Sequence, residues 1–212
     1  WLAPLQKALL GDQQGLGKTL QLLLAAPPSA PVLVVCPSVA RGVWAREAMA
    51  LRPDLRVILL QGVDGFLWPG PGQLVVITYD QLPDKEFWKG RVDMGGVVLI
   101  ADEAHYLKSS KTKRTERFRA LKDYVLRWDG VIRGATGTPL RNRPKELWSL
   151  LVTLGLAREA FGTWDQFCEL FKARQNRWKA WVFPEGEVSP EVALRLQRVM
   201  LRRERAGVAP QL

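Results

Sequence analysis

Glycines, a lysine and a threonine crowd one segment, Gly11-Asp12-Gln13-Gln14-Gly15-Leu16-Gly17-Lys18-Thr19, and far downstream two carboxylates follow a short apolar run in VVLIADEAHYLK at 97–108. Glycines let a loop turn tightly, so that successive backbone N–H groups point into one concavity. The helical pattern Leu20, Leu22, Leu23, Leu24 starts directly after the loop. It would set Gly15, Leu16, Gly17, Lys18 and Thr19 at a helix N-terminus, where N–H donors and the helix dipole stabilise phosphate oxygens. Lys18 would reach the outer phosphates of a nucleotide such as ATP, and the Thr19 hydroxyl would sit on Mg²⁺. The generic phosphate loop has glycine where this chain has Asp12. An ordinary turn with a helix cap also satisfies the loop taken alone.

The second segment narrows the choice. Val97, Val98, Leu99 and Ile100 suit a strand buried on both faces of a parallel sheet. Ala101-Asp102-Glu103-Ala104-His105 then puts the carboxylates at the strand's C-terminal end, the edge where ligands bind in open α/β sheets. Asp102 is expected to hold Mg²⁺ through a water, and Glu103 to polarise the attacking water. The competing reading is a strand followed by a solvated acidic turn.

The elements that must position these groups follow from apolar runs punctuated by Pro and Gly. Strands are expected at Val32–Cys36, Val57–Leu60, Leu74–Thr78, Val97–Ala101 and Val131–Ala135. Helical patterns fall near Thr19–Ala25, Arg41–Ala50 and Thr115–Leu126, and Pro69-Gly70-Pro71-Gly72 reads as a surface loop. Strands alternating with helices give an α/β fold with a parallel sheet covered by helices on both faces. After Pro139 no strand run is evident. Leu147–Leu154, Trp164–Phe171 and Val192–Leu201 have helical spacing, so residues 1–139 are expected to form the core and 140–212 a helical appendage. Trp148, Trp164, Trp178 and Trp181 are read as helix-packing residues rather than base-stacking ones.

Three segments together, DQQGLGKT, IADEAHYLK and GATGTPLRNRPKELWSLL, resemble the first motor lobe of Swi/Snf-type ATPases within helicase superfamily two. VLVVCPSVARGVWAREA at 32–48 is similar to a nucleic-acid-contacting motif of that family, with Pro37, Ser38, Trp44 and Glu47 in register. VVITYDQL at 75–82 is similar to the next, centred on Thr78 and Tyr79, and FGTWDQFCELF and VMLRRER resemble later family segments. The resemblance spans nearly the whole chain. It implies a RecA-like phosphate-loop domain that hydrolyses ATP with Mg²⁺ and moves along double-stranded DNA. It further implies Ser38, Arg41, Thr78 and Tyr79 against a DNA strand, with His105, Thr136 and Thr138 coupling hydrolysis to that contact. Leu2-Ala3-Pro4-Leu5-Gln6 resembles the family's adenine-reading element, though it lies unusually close to Gly15, so Gln6 becomes an adenine candidate. Family motors carry a second RecA-like lobe with an arginine finger, a group worth roughly 10³–10⁵ in rate in related phosphoryl transfers. Arg202 and Arg203 belong to the segment leading toward that lobe, so this chain alone is expected to turn over weakly.

Composition agrees with a polyanion-binding protein. The chain has 212 residues, enough for a sizeable core, a formal net charge of +10 and pI near 10. Lys108, Lys111, Lys113, Arg114, Arg117 and Arg119 cluster around serines and threonines, suited to following a phosphate backbone or simply to a solvated helix start. Arg41 and Trp44 are placed to touch a DNA strand, with Trp44 equally suited to the core. Cys36 and Cys168 are isolated, and His105 is the single histidine, which excludes a disulfide framework and a histidine-rich metal site. No apolar run approaches the roughly 18 residues a membrane span needs, and no signal-peptide order is seen at the N-terminus. An intracellular protein, in a prokaryotic or virus-infected cytoplasm or a nucleus, is therefore expected. Two other readings stay open: a strand-separating or restriction-type helicase lobe, and a non-catalytic DNA-binding scaffold.

Overall fold

Apolar strands, four to six residues long and buried along almost their whole length, make the centre of the molecule. The computed structural model describes residues 1–60, 62, 66–90, 95–138, 143–184 and 189–208. In chain order these contain β1 (Lys7–Leu10), α1 (Lys18–Ala25), β2 (Val32–Cys36), α2 (Arg41–Leu51), β3 (Arg56–Leu59), β4 (Gln73–Thr78), β5 (Val98–Ala101), α3 (Lys113–Arg127) and β6 (Val131–Ala135). Then follow α4 (Pro144–Leu154), α5 (Ala157–Phe161), α6 (Trp164–Leu170), β7 (Arg174–Gln175), β8 (Trp181–Val182), α7 (Glu191–Gln197), β9 (Met200–Leu201) and α8 (Arg205–Val208). Seven strands join in the order β3-β4-β2-β5-β6-β1-β9, every pairing parallel. The expected α/β fold with a covered parallel sheet is the one that forms.

Side chains alternate across the sheet with the two-residue period of a strand. Val32, Val34, Cys36, Leu74, Val76, Val98 and Ile100 face a layer containing Leu22 and Leu23 of α1 and Trp44 and Ala48 of α2. Leu33, Val35, Val75, Ile77, Leu99 and Ala101 face the opposite layer, with Phe118 and Leu121 of α3, Leu150 of α4, Phe161 of α5, Phe167 of α6 and Leu196 of α7. The helices beyond residue 143 therefore share one continuous core with the sheet. Arg133 of β6 is buried on the first face, and its guanidinium donates to the carbonyls of Leu2 (2.8 Å), Leu5 and Ile132. Burial lowers its pKa to about 10, so three carbonyl acceptors hold it in place of water.

Three elements differ from the sequence expectation. Lys7–Leu10, absent from the expected strands, is a strand between β6 and β9. The helix expected over Val192–Leu201 stops at Gln197, because Met200 and Leu201 leave it to pair with Leu9 and Leu10. Residues 174–182 form a two-stranded antiparallel hairpin where only helix was expected. Pro139, within the Thr-Gly-Thr-Pro motif, and 140–142 lie outside the described residues. Among the described residues no helix is long and apolar enough to cross a membrane.

Candidate active site

Because every strand of the seven-stranded sheet runs the same way, the loops after β1, β2, β4, β5, β6 and β9 all emerge at one edge of it. Ligands bind along such an edge in open α/β sheets. After β1 the chain enters the glycine loop, where Gly15 (φ 84°) and Gly17 (φ 66°) occupy the left-handed region that other residues rarely adopt. Gly17 is also the N-cap of α1, with no side-chain cap and no acid in the first turn, so the first N–H groups of the helix are left to a ligand. Lys18 Nζ donates to the carbonyls of Asp12 (3.0 Å) and Gln13 (3.3 Å). It also lies 3.4 Å from where a Cβ on Gly137 would stand, so any larger residue there would crowd the ammonium. Thr19 is half-buried beside it.

Asp102 and Glu103 follow β5. Asp102 Oδ2 accepts from the buried Trp44 indole N–H at 2.8 Å, and Oδ1 accepts from the Glu103 N–H at 2.9 Å. Burial pushes the Asp102 carboxyl above its ordinary range, and the Trp44 bond pulls it part of the way back. Glu103 holds φ 47°, ψ 50°, a left-handed conformation that costs a non-glycine residue roughly 1–3 kcal/mol and clusters at functional sites. That twist turns its carboxylate toward His105, whose Nδ1 lies 3.0 Å from Glu103 Oε2 and 3.3 Å from Thr136 Oγ1. Of the residues expected to couple hydrolysis to DNA contact, Thr136 reaches Glu103 through the imidazole of His105, while its Oγ1 accepts the Thr138 N–H at 3.2 Å and the Thr138 side chain is exposed. The chemistry of the donor set fits a Mg²⁺–nucleotide: uncapped amides and a lysine for phosphate, a hydroxyl and a carboxylate for a hard cation.

The remaining candidates are distributed unevenly. Ser38, Thr78 and Tyr79 come together with Tyr106 and Arg114 around one shallow concavity. Ser38 is exposed, but Tyr79 is buried and its hydroxyl donates to the Asp102 carbonyl at 2.7 Å, which corrects its reading as a side-chain DNA contact. Its ring stacks on Tyr106, under the Arg114 guanidinium. Arg41 is half-buried and donates to the Leu60 carbonyl at 2.5 Å, where it braces the end of β3 rather than facing solvent. Lys108 pairs with Glu146 at 3.2 Å, whereas Lys111 and Lys113 are exposed. Trp44 is fully buried, which settles its choice between DNA contact and core in favour of the core.

Gln6 stands apart from these residues. It precedes β1 at the sheet's opposite edge, and the strand carries the chain away at about 3.3 Å per residue, so roughly 16 Å of backbone separates it from Gly11. Its carbonyl accepts from the Ile132 N–H, and its side chain is exposed. The structure does not bring Gln6 to the phosphate loop.

Sequence reading missed the partner of Asp12. This wholly buried carboxylate accepts from the Arg203 backbone N–H (2.8 Å), from Arg203 Nε (3.0 Å) and Nη2, and from Gln21 Nε2 (3.2 Å). Gln13 N–H donates to the Arg203 carbonyl (3.0 Å), and Arg205 N–H to Gln13 Oε1 (2.8 Å). The segment after β9 thus straps the phosphate loop. The substitution of Asp12 for the generic glycine was the visible signal, but nothing local names a partner 191 residues away.

Comparison with known proteins gives the family and the fold. The model of the SNF2-related domain matches residues 1–212. SWI/SNF-related matrix-associated actin-dependent regulator of chromatin subfamily A-like protein 1 of Xenopus laevis is 29% identical over 218 residues, covering 97% of this chain and 21% of that protein. The ATP-dependent helicase fft1 of Schizosaccharomyces pombe is 35% identical over 173 residues, covering 71% of this chain and 17% of its own. DNA annealing helicase and endonuclease ZRANB3 of Mus musculus is 27% identical, covering 97% and 20%. This chain therefore spans about a fifth of the length of these relatives. The Sulfolobus solfataricus SWI2/SNF2 ATPase core in complex with dsDNA shares the fold, with TM-score 0.67 and 23% identity over 94% of this chain and 40% of that one. With the family model covering it from end to end, the chain belongs to the SNF2-related domain family.

Proposed function

We propose that this chain is the N-terminal ATP-binding lobe of an ATP-dependent motor that translocates on double-stranded DNA, hydrolysing ATP when a second RecA-like lobe completes the site. The observation that carries the reading is the meeting, at one sheet edge, of an uncapped glycine loop bearing Lys18 with Asp102, Glu103, His105 and Thr136. In this reading Lys18 and the α1 amides bind the β- and γ-phosphates. Thr19 and Asp102 would hold Mg²⁺, which neutralises charge on the transferring phosphoryl group. Glu103 orients a water and takes its proton as the oxygen attacks the γ-phosphorus and the bond to the β-phosphate breaks. His105 and Thr136 tie that carboxylate to the loop after β6, the route by which DNA contact would reach the water-orienting group. Residues 1–139 form the nucleotide-binding core in this proposal, and 140–212 lead toward the second lobe. The DNA backbone would lie along Ser38, Thr78 and the cations near Lys111 and Lys113. An intracellular setting follows from such a substrate.

The relatives named as helicases, among them a DNA annealing helicase, support a second reading in which the complete protein separates or anneals strands. Unwinding and annealing assays on a two-lobed protein distinguish it from translocation without strand separation. A scaffold without catalysis fits less well, since Lys18, Asp102 and Glu103 are all retained in bonding positions. The direct test is Glu103→Gln in a protein carrying both lobes. ATP binding should persist while turnover drops at least about 10²-fold, the scale of losing a general base. Wild-type turnover would assign the water to another group.

A further inference from the structure

The strongest unexplained feature outside the nucleotide site is the hairpin β7–β8. Its tip presents Trp178 at 74% exposure, although the sequence pattern assigns that tryptophan to helix packing. The neighbouring expectations hold: Trp148 and Trp164 pack against each other and against Phe167. Leaving an indole in water forfeits the burial free energy that these two gain. The stretch 172–184 also carries Lys172, Arg174, Arg177 and Lys179 and not one acid. Arg177 stacks its guanidinium 4.8 Å from the Trp178 ring centroid, which leaves the other face of the indole available.

The hairpin is held in shape. Asn176 Oδ1 accepts from the N–H groups of Trp178 (2.9 Å) and Ala180 (3.0 Å), and Asn176 N–H donates to the Ala180 carbonyl (3.0 Å). Ala173 N–H donates to the Cys168 carbonyl at the end of α6 (2.8 Å), and Phe183 packs its ring among Trp164, Phe167 and Phe171. A two-stranded hairpin alone is marginal in water, so this aromatic root is what keeps the tip presented. The root also locates it. Lys145 in the first turn of α4 lies over the Phe183 ring, and the next residue, Glu146, pairs with Lys108 at the head of the basic run. Hairpin and basic run are therefore joined through one helix turn.

We propose that the hairpin is a second nucleic-acid contact, in which Trp178 stacks on an unpaired base while Arg177 and Lys179 meet the flanking phosphates. An exposed aromatic set among cations is the combination by which proteins hold unpaired nucleotides, because every base offers a stacking face. The cations alone would suit any polyanion; the indole selects unpaired bases over a closed duplex, whose bases are already stacked. The inference rests on the DNA-motor reading and adds to it a preference for junctions between paired and unpaired strands.

Fluorescence anisotropy of the 212-residue chain with a forked duplex and a blunt duplex of equal length tests it. Trp178→Ala should weaken fork binding by about tenfold or more, the scale of one lost base stack, and leave blunt-duplex binding within about twofold. Trp178→Phe should recover most of the loss, and Arg177→Ala with Lys179→Ala should flatten the salt dependence. Circular dichroism checks folding, which an exposed tip should leave unaltered. Equal fork affinity for wild type and Trp178→Ala overturns the inference while wild-type DNA binding leaves the motor reading standing. Wild-type binding to neither DNA overturns both. Binding to an acidic peptide in place of DNA overturns the stacking role and assigns the tip to a protein partner.

Discussion

Asp102, which would hold Mg²⁺ in the proposed site, is a carboxylate whose charge is set by its packing. Burial works against its charge and the Trp44 indole N–H works for it, with the pKa left above the ordinary carboxylate range. To hold Mg²⁺ the group must be ionised, so nucleotide binding with Mg²⁺ should fail on acidification at a pH above the usual carboxylate value of about 4. Trp44→Phe removes the donor that lowers the pKa. The acid limb of Mg²⁺–nucleotide binding should then move to higher pH, and the fold should lose about 1.5–3 kcal/mol, the range for a hydrogen bond to a charged group. Titrations of binding against pH, with urea unfolding, check both; an unmoved acid limb would show that Trp44 only packs. Cys36, near this carboxylate, is raised to about 12 by burial and stays a neutral packing group. At this scale Lys18, Thr19, Asp102 and Glu103 stand out as candidates in sequence because glycine, lysine and hydroxyl crowd into 15–19 and the two carboxylates end one apolar run. Trp44 does not, since helical spacing fits a core indole and a DNA contact alike. The packing of Tyr79 and Arg41 was hidden for the same reason: their partners, the carbonyls of Asp102 and Leu60, lie on other loops.

Between elements, the strap after β9 has the largest consequence. It adds the last strand to the sheet beside β1 and delivers Arg203 to Asp12 at the mouth of the phosphate loop. Asp12 is wholly buried while Arg203 is 38% exposed, and bonding to Asp12 raises the arginine's pKa. Breaking a buried pair costs about 3–5 kcal/mol, and solvent access to Arg203 discounts that to about 2–3 kcal/mol here. Arg203→Ala should therefore lower urea-unfolding stability by that amount and weaken Mg²⁺–ATP affinity, because Asp12 and Gln13 also supply the carbonyls that hold Lys18. Arg203→Lys should recover only part of each. Wild-type stability in Arg203→Ala would show that Gln21 and water suffice for Asp12. The long strands were legible because Val32–Cys36 and Leu74–Thr78 are runs rich in β-branched residues and bounded by turns. β1 and β9 were not: β1 is four residues long and pairs with β6, more than 120 positions away, and the two-residue β9 is a strand only through its pairing with β1.

For the molecule as a whole, charge and topology point the same way. A formal net charge of +10, exposed lysines at 111 and 113, and a basic hairpin tip suit the binding of a polyanion. Phosphate contacts release condensed counterions, each steepening the fall of log affinity with log salt by about 0.9 on duplex DNA. Anisotropy over a salt series on two unrelated duplexes should show steep salt dependence and little difference between sequences; salt-insensitive, sequence-selective binding would favour a scaffold. The parallel sheet with helices on both faces was implied by alternating strands and helices, whereas the strand order was not, and the return of 199–205 onto the first strand left no local signal. The measurement closest to the central claim is calorimetric titration of the 212-residue chain with ATP and Mg²⁺, repeated on Lys18→Ala with circular dichroism as the fold check. The account predicts Mg²⁺-dependent binding by the wild type and its sharp loss in a folded Lys18→Ala protein. Unchanged affinity in that folded variant would contradict it.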